Sequence, residues 1–134
     1  MLDERWQQLS ESDWRAFARA WLAELRDASG KPESEVGQSV VMMNFTAAPQ
    51  HQWRFICAAV SQAGSDAELA HIAAGPMEHL MGWHGARYMD AIEAQAAAEP
   101  KFAGMLGGVR KYKMSDEVWM HLQNLISKYA ASGP

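Results

Sequence analysis

Cysteine is almost absent from this chain of 134 residues, and so are the segments that direct a protein to secretion or a membrane. The single cysteine, Cys57, cannot form an internal disulfide, and its apolar surroundings from Trp53 to Val60 predict a buried thiol in a reducing cytosol. No stretch approaches ~18 uninterrupted apolar residues, and the N-terminus begins with acids and lacks an apolar core. We therefore expect a cytoplasmic protein without a disulfide scaffold, a signal peptide or a membrane span.

Basic residues are also few, since 12 Lys and Arg stand against 16 Asp and Glu, a formal net charge of −4. This balance argues against generic binding to the nucleic-acid backbone, which normally calls for a basic face. The charge is uneven, because residues 1–100 hold 14 acids and 7 bases, whereas residues 101–134 hold 2 acids and 5 bases. Arg110, Lys111 and Lys113 surround one tyrosine and could contact a phosphate or an acidic partner, although a solvated connector explains them as well.

The sequence motifs of several large enzyme classes are missing. The chain has no nucleophile elbow of the G-x-S-x-G type, no phosphate-binding glycine loop, no cysteine pair and no dinucleotide-binding fingerprint. We therefore expect no cofactor, and we favour a protein that binds a partner over one that catalyses a reaction.

Apolar residues at helical spacing dominate the rest of the chain. The clearest stripe runs from Trp14 to Leu25 at i, i+3, i+4, i+7, i+8 and i+11, which is the pattern of one helix face. Serine capping boxes start helices, prolines suit their first turn, and glycines end them. These rules predict helix starts near Ser10, Pro49, Ser65, Pro76, Pro100 and Ser115, and helix ends at Gly30, Gly64, Gly75, Gly85 and Gly107.

These helices predict one all-α domain over residues 1–134, a compact stack of about six to eight short helices. A helical part over 1–30 and a loop over 31–37 precede the stack over 38–131. Two similar blocks of helix, proline and helix lie 24 residues apart, which suggests a HEAT-like stack. Because the separation is shorter than the usual ~40 residues of HEAT units, we expect stacked short helices and not a true repeat. Val40–Phe45 has β-branched residues that suit a strand, but no second strand could pair with it, so we expect a helix.

One segment, residues 71–93, concentrates imidazole and carboxylate side chains: His71, Glu78, His79, His84, Asp90 and Glu93. Such groups serve zinc, iron or general acid–base sites. The spacing does not support a metal site, because His79 and His84 are five residues apart, whereas a helix pairs ligands at i+3 or i+4. Glu78 has a structural explanation, because a carboxylate at this position caps a helix start. His84 has one too, because an imidazole suits the C-terminus of a helix. The alternative, chemical interpretation makes Glu78, His84 and Asp90 catalytic, or uses His71, Glu78, His79 and His84 to hold a metal.

Tryptophan and methionine are frequent, with 6 and 9 residues, and most of them lie on predicted inward stripes. Trp119 instead lies beside the apolar stripe of the last helix. With Met114 and Met120 it forms either an exposed patch for a partner or a wider buried face of that helix.

Residues 73–80, with the pattern AAGPxExL, followed by His84-Gly85 and Ile92-Glu93, resemble a family of small bacterial proteins known only as a domain of unknown function. The resemblance covers about a third of the chain. It implies a bacterial, cytosolic, all-helical protein of the small stand-alone kind found beside toxins or mobile elements, and it implies no reaction. The matching positions are Gly75, Pro76, Glu78, His84 and Gly85.

We therefore expect a non-enzymatic protein-interaction module, immunity- or antitoxin-like, that binds a basic protein partner through an acidic helical surface. The alternative is a small metal-binding protein or enzyme that uses the side chains of residues 71–93. Nucleic-acid binding through the bases around Tyr112 is a third interpretation, which the net charge disfavours. A homo-oligomer is left open. The expected partner-binding residues are Arg110, Lys111, Lys113, Trp119 and Met120.

Overall fold

A computed structural model describes residues 4–26 and 35–131, and every regular element within those ranges is helical. The all-α prediction is therefore confirmed. Two compact units are formed, unit 1 up to Gly64 and unit 2 from Ser65. The elements are α1 (Glu4–Gln7), α2 (Glu11–Arg26), α3 (Glu35–Thr46), α4 (Pro49–Gln62), α5 (Asp66–Ile72), a π-helical turn (Ala73–Met77), α6 (Glu78–Ala98), α7 (Pro100–Leu106) and α8 (Asp116–Ala131).

Five helices, α2, α4, α5, α7 and α8, start where the capping rules predict. Before α2, the Asp13 N–H donates to Ser10 Oγ at 3.1 Å and the Ser10 N–H donates to Asp13 Oδ2 at 2.9 Å, which is a reciprocal capping box. Before α5, Ser65 Oγ accepts from the N–H three residues later at 3.2 Å. Pro49 and Pro100 are the first residues of α4 and α7, where the missing N–H has no helical partner to lose.

Unit 1 has an aromatic core between α2 and α4. The Phe55 ring on α4 is fully buried, and its centroid lies 5.0 Å from that of Phe17 and 5.5 Å from that of Trp21 on α2. α3 packs against α2, and Val40–Phe45 is helical, as expected. The predicted loop over 31–37 is described only from residue 35, where α3 begins.

Pro76 does not restart a helix after a break at Gly75. The chain passes from α5 through the π-helical turn into α6, and the Glu78 N–H donates to the carbonyl oxygen of Ala73, five residues earlier. Proline lacks an N–H and its ring collides with the carbonyl four residues before it. A wider turn accommodates both effects. The predicted helix end at Gly75 is therefore wrong.

Gly85 does not end a helix either, because α6 runs on from Glu78 to Ala98. A Cβ atom on Gly85 would lie 2.9 Å from Cγ1 of Val118, and one on Gly82 would lie 2.6 Å from the carbonyl oxygen of Tyr112. Both distances are too short for a real Cβ atom. The two glycines therefore let α8 and the connection before it approach the backbone of α6.

The core of unit 2 forms where α6 packs against α7 and α8, and where α7 packs against α5. Among the described residues, no helix combines the length and the apolar character needed to cross a membrane. The fully buried side chains of this core include Ile72, Met77, Leu80, Met81, Ile92, Phe102 and Met105.

Gly82→Ala should destabilise unit 2, because the new Cβ would meet a backbone oxygen at 2.6 Å, which cannot move aside as a flexible side chain would. We expect the free energy of unfolding, measured by urea denaturation, to fall by about 1–3 kcal/mol. Gly104→Ala is the matched control, since it lies in α7 with open space around its Cβ position. That variant should gain up to about 1 kcal/mol from helix propensity. Equal changes in both variants would contradict the close approach.

Candidate functional site

Glu78 binds the connection between α7 and α8. Its Oε2 accepts a hydrogen bond from the backbone N–H of Arg110 at 3.0 Å, and its side chain is only 12% exposed. The Arg110 guanidinium Nε lies 3.9 Å from the same oxygen, but that side chain is 84% exposed, so the ion pair adds little. The hydrogen bond to the carboxylate is the stronger contact. The capping prediction for Glu78 is wrong, because α6 continues from the π-helical turn without a free helix start.

His79 and His84, both on α6, have pKa values below their ordinary value of 6.5. Burial is the main cause for each imidazole. The neighbouring His84 lowers the pKa of His79 further, and Arg87 lowers that of His84. Both rings are therefore neutral at neutral pH. The predicted helix C-terminus at His84 is wrong, because α6 continues to Ala98.

The structure does not assemble the alternative metal-binding set. His71 is exposed on α5, before the π-helical turn, whereas Glu78 faces the α7–α8 connection. Over residues 4–26 and 35–131, no three His, Cys, Asp or Glu side chains come together as they would around a metal ion. The four predicted ligands, which therefore do not surround a common point, are His71, Glu78, His79 and His84.

The members of the alternative catalytic set, Glu78, His84 and Asp90, have different surroundings on α6. Asp90 is exposed on α6, and the Glu78 carboxylate is already bound to a backbone N–H. The last member of the cluster, Glu93, has Oε2 3.8 Å from Nε2 of His121 on α8. Structural contacts therefore account for Glu78 and Glu93, and within the part of the chain that the structure describes no hydrogen bond or ion pair joins Asp90 to either.

Exposed aromatic and basic side chains meet where the α7–α8 connection crosses α6. Trp83 on α6 is 57% exposed, and Tyr112 in the connection is exposed beside it. The Lys113 Nζ atom lies 5.0 Å from the centroid of the Trp83 ring and 5.8 Å from that of Tyr112. Together with the exposed Arg110 these residues form the surface that we name the aromatic–basic surface: Trp83, Arg110, Tyr112 and Lys113.

Lys113 has a left-handed backbone with φ of 58°, the one such case among the described non-glycine residues. This conformation costs an L-residue about 1–2 kcal/mol, and glycine would avoid most of that cost. A cation over an exposed aromatic ring returns only about 0.5–1 kcal/mol. Local stability therefore does not explain a lysine at this position.

The other predicted partner-binding residues differ in their exposure and in the contacts they make. Lys111 forms an ion pair with Asp116, and their hydrogen bond lowers the pKa of that carboxyl. Met120 is exposed on α8 and Trp119 is half-buried. Met114 is buried in the core of unit 2, so of the two alternatives left open for it the buried one is correct.

Trp83 is the residue of this surface that the sequence did not predict. It lies on α6 off the inward stripe of Leu80 and Met81, and that offset is the signal that could have marked it as exposed.

Comparison with known protein families gives one match. A family model described as Family of unknown function (DUF6869) matches residues 25–130. The chain belongs to this family. The resemblance drawn from the sequence is thus confirmed as membership of a family of unknown function. No curated protein and no solved structure matches the chain.

Within this member of the DUF6869 family, Cys57 is half-buried, so the prediction of a buried thiol is wrong. The residue borders a cleft of about 370 Å³ in unit 1, lined by residues of α2 and α4 that include Arg15, Trp53 and Arg54. The side chain follows the fully buried Ile56 and lies at the edge of the inward stripe of α4.

Glu78→Ala should destabilise unit 2 and loosen the α7–α8 connection, because the Arg110 N–H loses its acceptor. We expect a loss of about 1–3 kcal/mol in the free energy of unfolding. Hydrogen–deuterium exchange at the Arg110 amide should become faster. Glu78→Gln retains an oxygen with the same reach and should keep most of the stability. Equal losses in both variants would show that the negative charge, and not the hydrogen bond, holds the connection.

Acidification should lower the stability of the fold. Because the pKa values of His79 and His84 are lowered in the folded state, the unfolded chain takes up protons first. The stabilising contribution is complete above the ordinary value of 6.5 and is lost as pH falls through the lowered pKa values. The thermal midpoint, measured from about pH 7.5 to about pH 5, should fall less steeply in His79→Gln than in the wild type. His71→Gln, which removes an exposed imidazole, is the control. An unchanged slope in His79→Gln would refute this assignment.

Proposed function

We propose that this chain is a non-enzymatic protein-interaction module and that its aromatic–basic surface binds an acidic segment of a protein partner. The observation that carries the proposal is the sharing of one strained lysine by two exposed aromatic rings, Trp83 and Tyr112. Tryptophan, tyrosine and arginine are the residues that most often dominate binding energy in protein interfaces. An exposed surface of these residues suits recognition better than chemistry.

The charge of the surface indicates the chemistry of the partner. Lys113 forms no ion pair among the described residues, and its charged group lies over the two rings. The Arg110 side chain is mostly exposed to solvent. Lys111, by contrast, is paired with Asp116. A carboxylate of the partner can therefore pair with Lys113 and Arg110 while an apolar side chain packs on Trp83.

An immunity- or antitoxin-like role fits this proposal, because a protein of that kind acts by occupying its partner and needs no reacting groups. The sequence also leads to a second version, in which an acidic surface binds a basic partner. It is supported by the 14 acids against 7 bases of residues 1–100. The two versions require partners of opposite charge, so one binding experiment separates them.

The test uses fluorescence anisotropy with two labelled peptides of equal length, one alternating Glu with Leu and Trp, the other carrying Lys in place of Glu. We expect the acidic peptide to bind and its affinity to fall as salt is raised, because the contacts lie at the surface. Lys113→Glu should weaken binding about tenfold. Lys128→Glu, near the far end of α8, is the control with the same change of charge.

Lys113→Gly separates binding from stability. It removes the charge and relieves the left-handed lysine, so the thermal midpoint should rise while the affinity for the acidic peptide falls. Unchanged affinity in this variant would overturn the proposed surface. Preference for the Lys peptide would favour the acidic-surface version. Tighter binding of a single-stranded RNA of similar length would replace the protein partner with a nucleic acid.

A further inference from the structure

A cleft in unit 1 is bordered by two tryptophan–arginine pairs. One pair, Trp14–Arg15, lies on α2, and the other, Trp53–Arg54, lies on α4. The cleft has a volume of about 370 Å³, which is near the lower end of the range for sites that bind small molecules. We name it the Trp–Arg cleft. Its size suits a ligand of one or two rings.

Side-chain contacts hold the two walls of the Trp–Arg cleft together. The centroid of the Phe17 ring on α2 lies 5.0 Å from that of the Phe55 ring on α4. The Nε2 atom of Gln62, the last residue of α4, donates to the carbonyl oxygen of Arg15 at 3.1 Å. These contacts fix α2 against α4 before any ligand binds. A ligand therefore does not have to order the cleft, which favours binding.

The two arginines leave positive charge at the Trp–Arg cleft. Arg15 and Arg54 are both exposed, and within the described ranges neither guanidinium forms an ion pair or a hydrogen bond with another residue. Glu11 also borders the cleft and carries one negative charge. Two guanidinium groups and one carboxylate leave an excess of one positive charge. A ligand with a single negative charge balances this excess, and a carboxylate matches the paired N–H donors of a guanidinium group.

The two indole rings supply an apolar surface and a hydrogen-bond donor. Trp53 is half-buried beside the cleft, and an aromatic ring of a ligand can pack on it. Trp14 is only 1% exposed, and its indole N–H is buried with no acceptor among the described residues. A buried donor without an acceptor lowers stability, and an oxygen atom of a ligand removes that cost.

We propose that the Trp–Arg cleft binds a small aromatic carboxylate. The carboxylate pairs with Arg15 and Arg54 and accepts a hydrogen bond from the Trp14 indole N–H, while the ring packs on Trp53. This site is separate from the function proposed above, because the aromatic–basic surface belongs to unit 2. Failure of one proposal therefore leaves the other intact.

Nuclear magnetic resonance of the full chain, with naphthoate as the probe, tests this inference. Naphthoate has one carboxylate on two fused rings, and we expect a Kd between about 10 μM and about 1 mM for a ligand of its size. The indole N–H signal of Trp14 should shift downfield, whereas that of Trp119 on α8 should stay in place. Naphthamide, which has the same rings without the charge, is the control and should bind about tenfold more weakly. Equal affinity for the two probes, or no shift of the Trp14 signal at about 5 mM naphthoate, would overturn the proposal.

Two variants test the arginines without disturbing the core, since both side chains are exposed. Arg15→Gln and Arg54→Gln should each weaken naphthoate binding about tenfold and leave naphthamide binding unchanged. Arg87→Gln makes the same change at an exposed arginine of α6 in unit 2 and should bind naphthoate as the wild type does. If both cleft variants keep the wild-type affinity, the guanidinium groups do not hold the carboxylate and the proposal fails.

Cys57 reports where the probe binds. It is the single cysteine of the chain and borders the Trp–Arg cleft. Bound naphthoate should therefore slow its alkylation by iodoacetamide, followed by mass spectrometry of the intact chain. Arg54→Gln should lose most of this protection at the same naphthoate concentration. Saturable binding that leaves the alkylation rate unchanged would place naphthoate elsewhere and contradict the proposed site.

Discussion

Unit 2 depends on the close approach of two chain segments to the backbone of α6. Glu78, Gly82 and Gly85 are spaced by four and three residues, so they lie on one side of this helix. The glycines leave room for the Tyr112 carbonyl and the Val118 side chain, and the carboxylate binds the connection between α7 and α8. A side chain at either glycine would push α8 or this connection outward and take the Arg110 N–H away from its acceptor. In the sequence, glutamate and glycine look like residues that start or end a helix. In this structure they are the points where other segments contact α6.

Local rules predict most helix starts of this fold, but they misplace the helix ends at Gly75 and Gly85. Ser10, Ser65 and Pro100 start helices as expected, because a cap or a proline acts within one turn of the chain. Gly85 does not end a helix, because its role is set by Val118, which is 33 residues away in the sequence. At Pro76 the helix widens into a π-helical turn and continues, where a rule that reads proline as a helix start predicts a break. Sequence rules of short range cannot detect either effect.

In the candidate site, too, some residues could be predicted from the sequence and others could not. The bases Arg110 and Lys113 can be selected from the sequence, since they form a local cluster in an otherwise acidic chain. Trp83 cannot be joined to them in that way, because it lies on another helix and meets Lys113 only after the connection has folded onto α6. The contact that Glu78 makes could not be predicted for a related reason. Its partner is a backbone N–H 32 residues away, which has no signature in the sequence.

The net charge of a small helical protein is a poor guide to the charge of its partner when some of its charged side chains are ion-paired and others are not. The chain carries −4 overall, which favours a basic partner. At the surface itself, however, Lys111 is paired with Asp116, whereas Lys113 is held over aromatic rings without a counter-ion among the described residues. A partner meets the charges that remain unpaired and exposed, and desolvation is easiest where they already lie on apolar rings. For the function proposed above, the expected charge of the partner therefore follows from Arg110 and Lys113 of the connection more than from the twelve bases and sixteen acids of the whole chain.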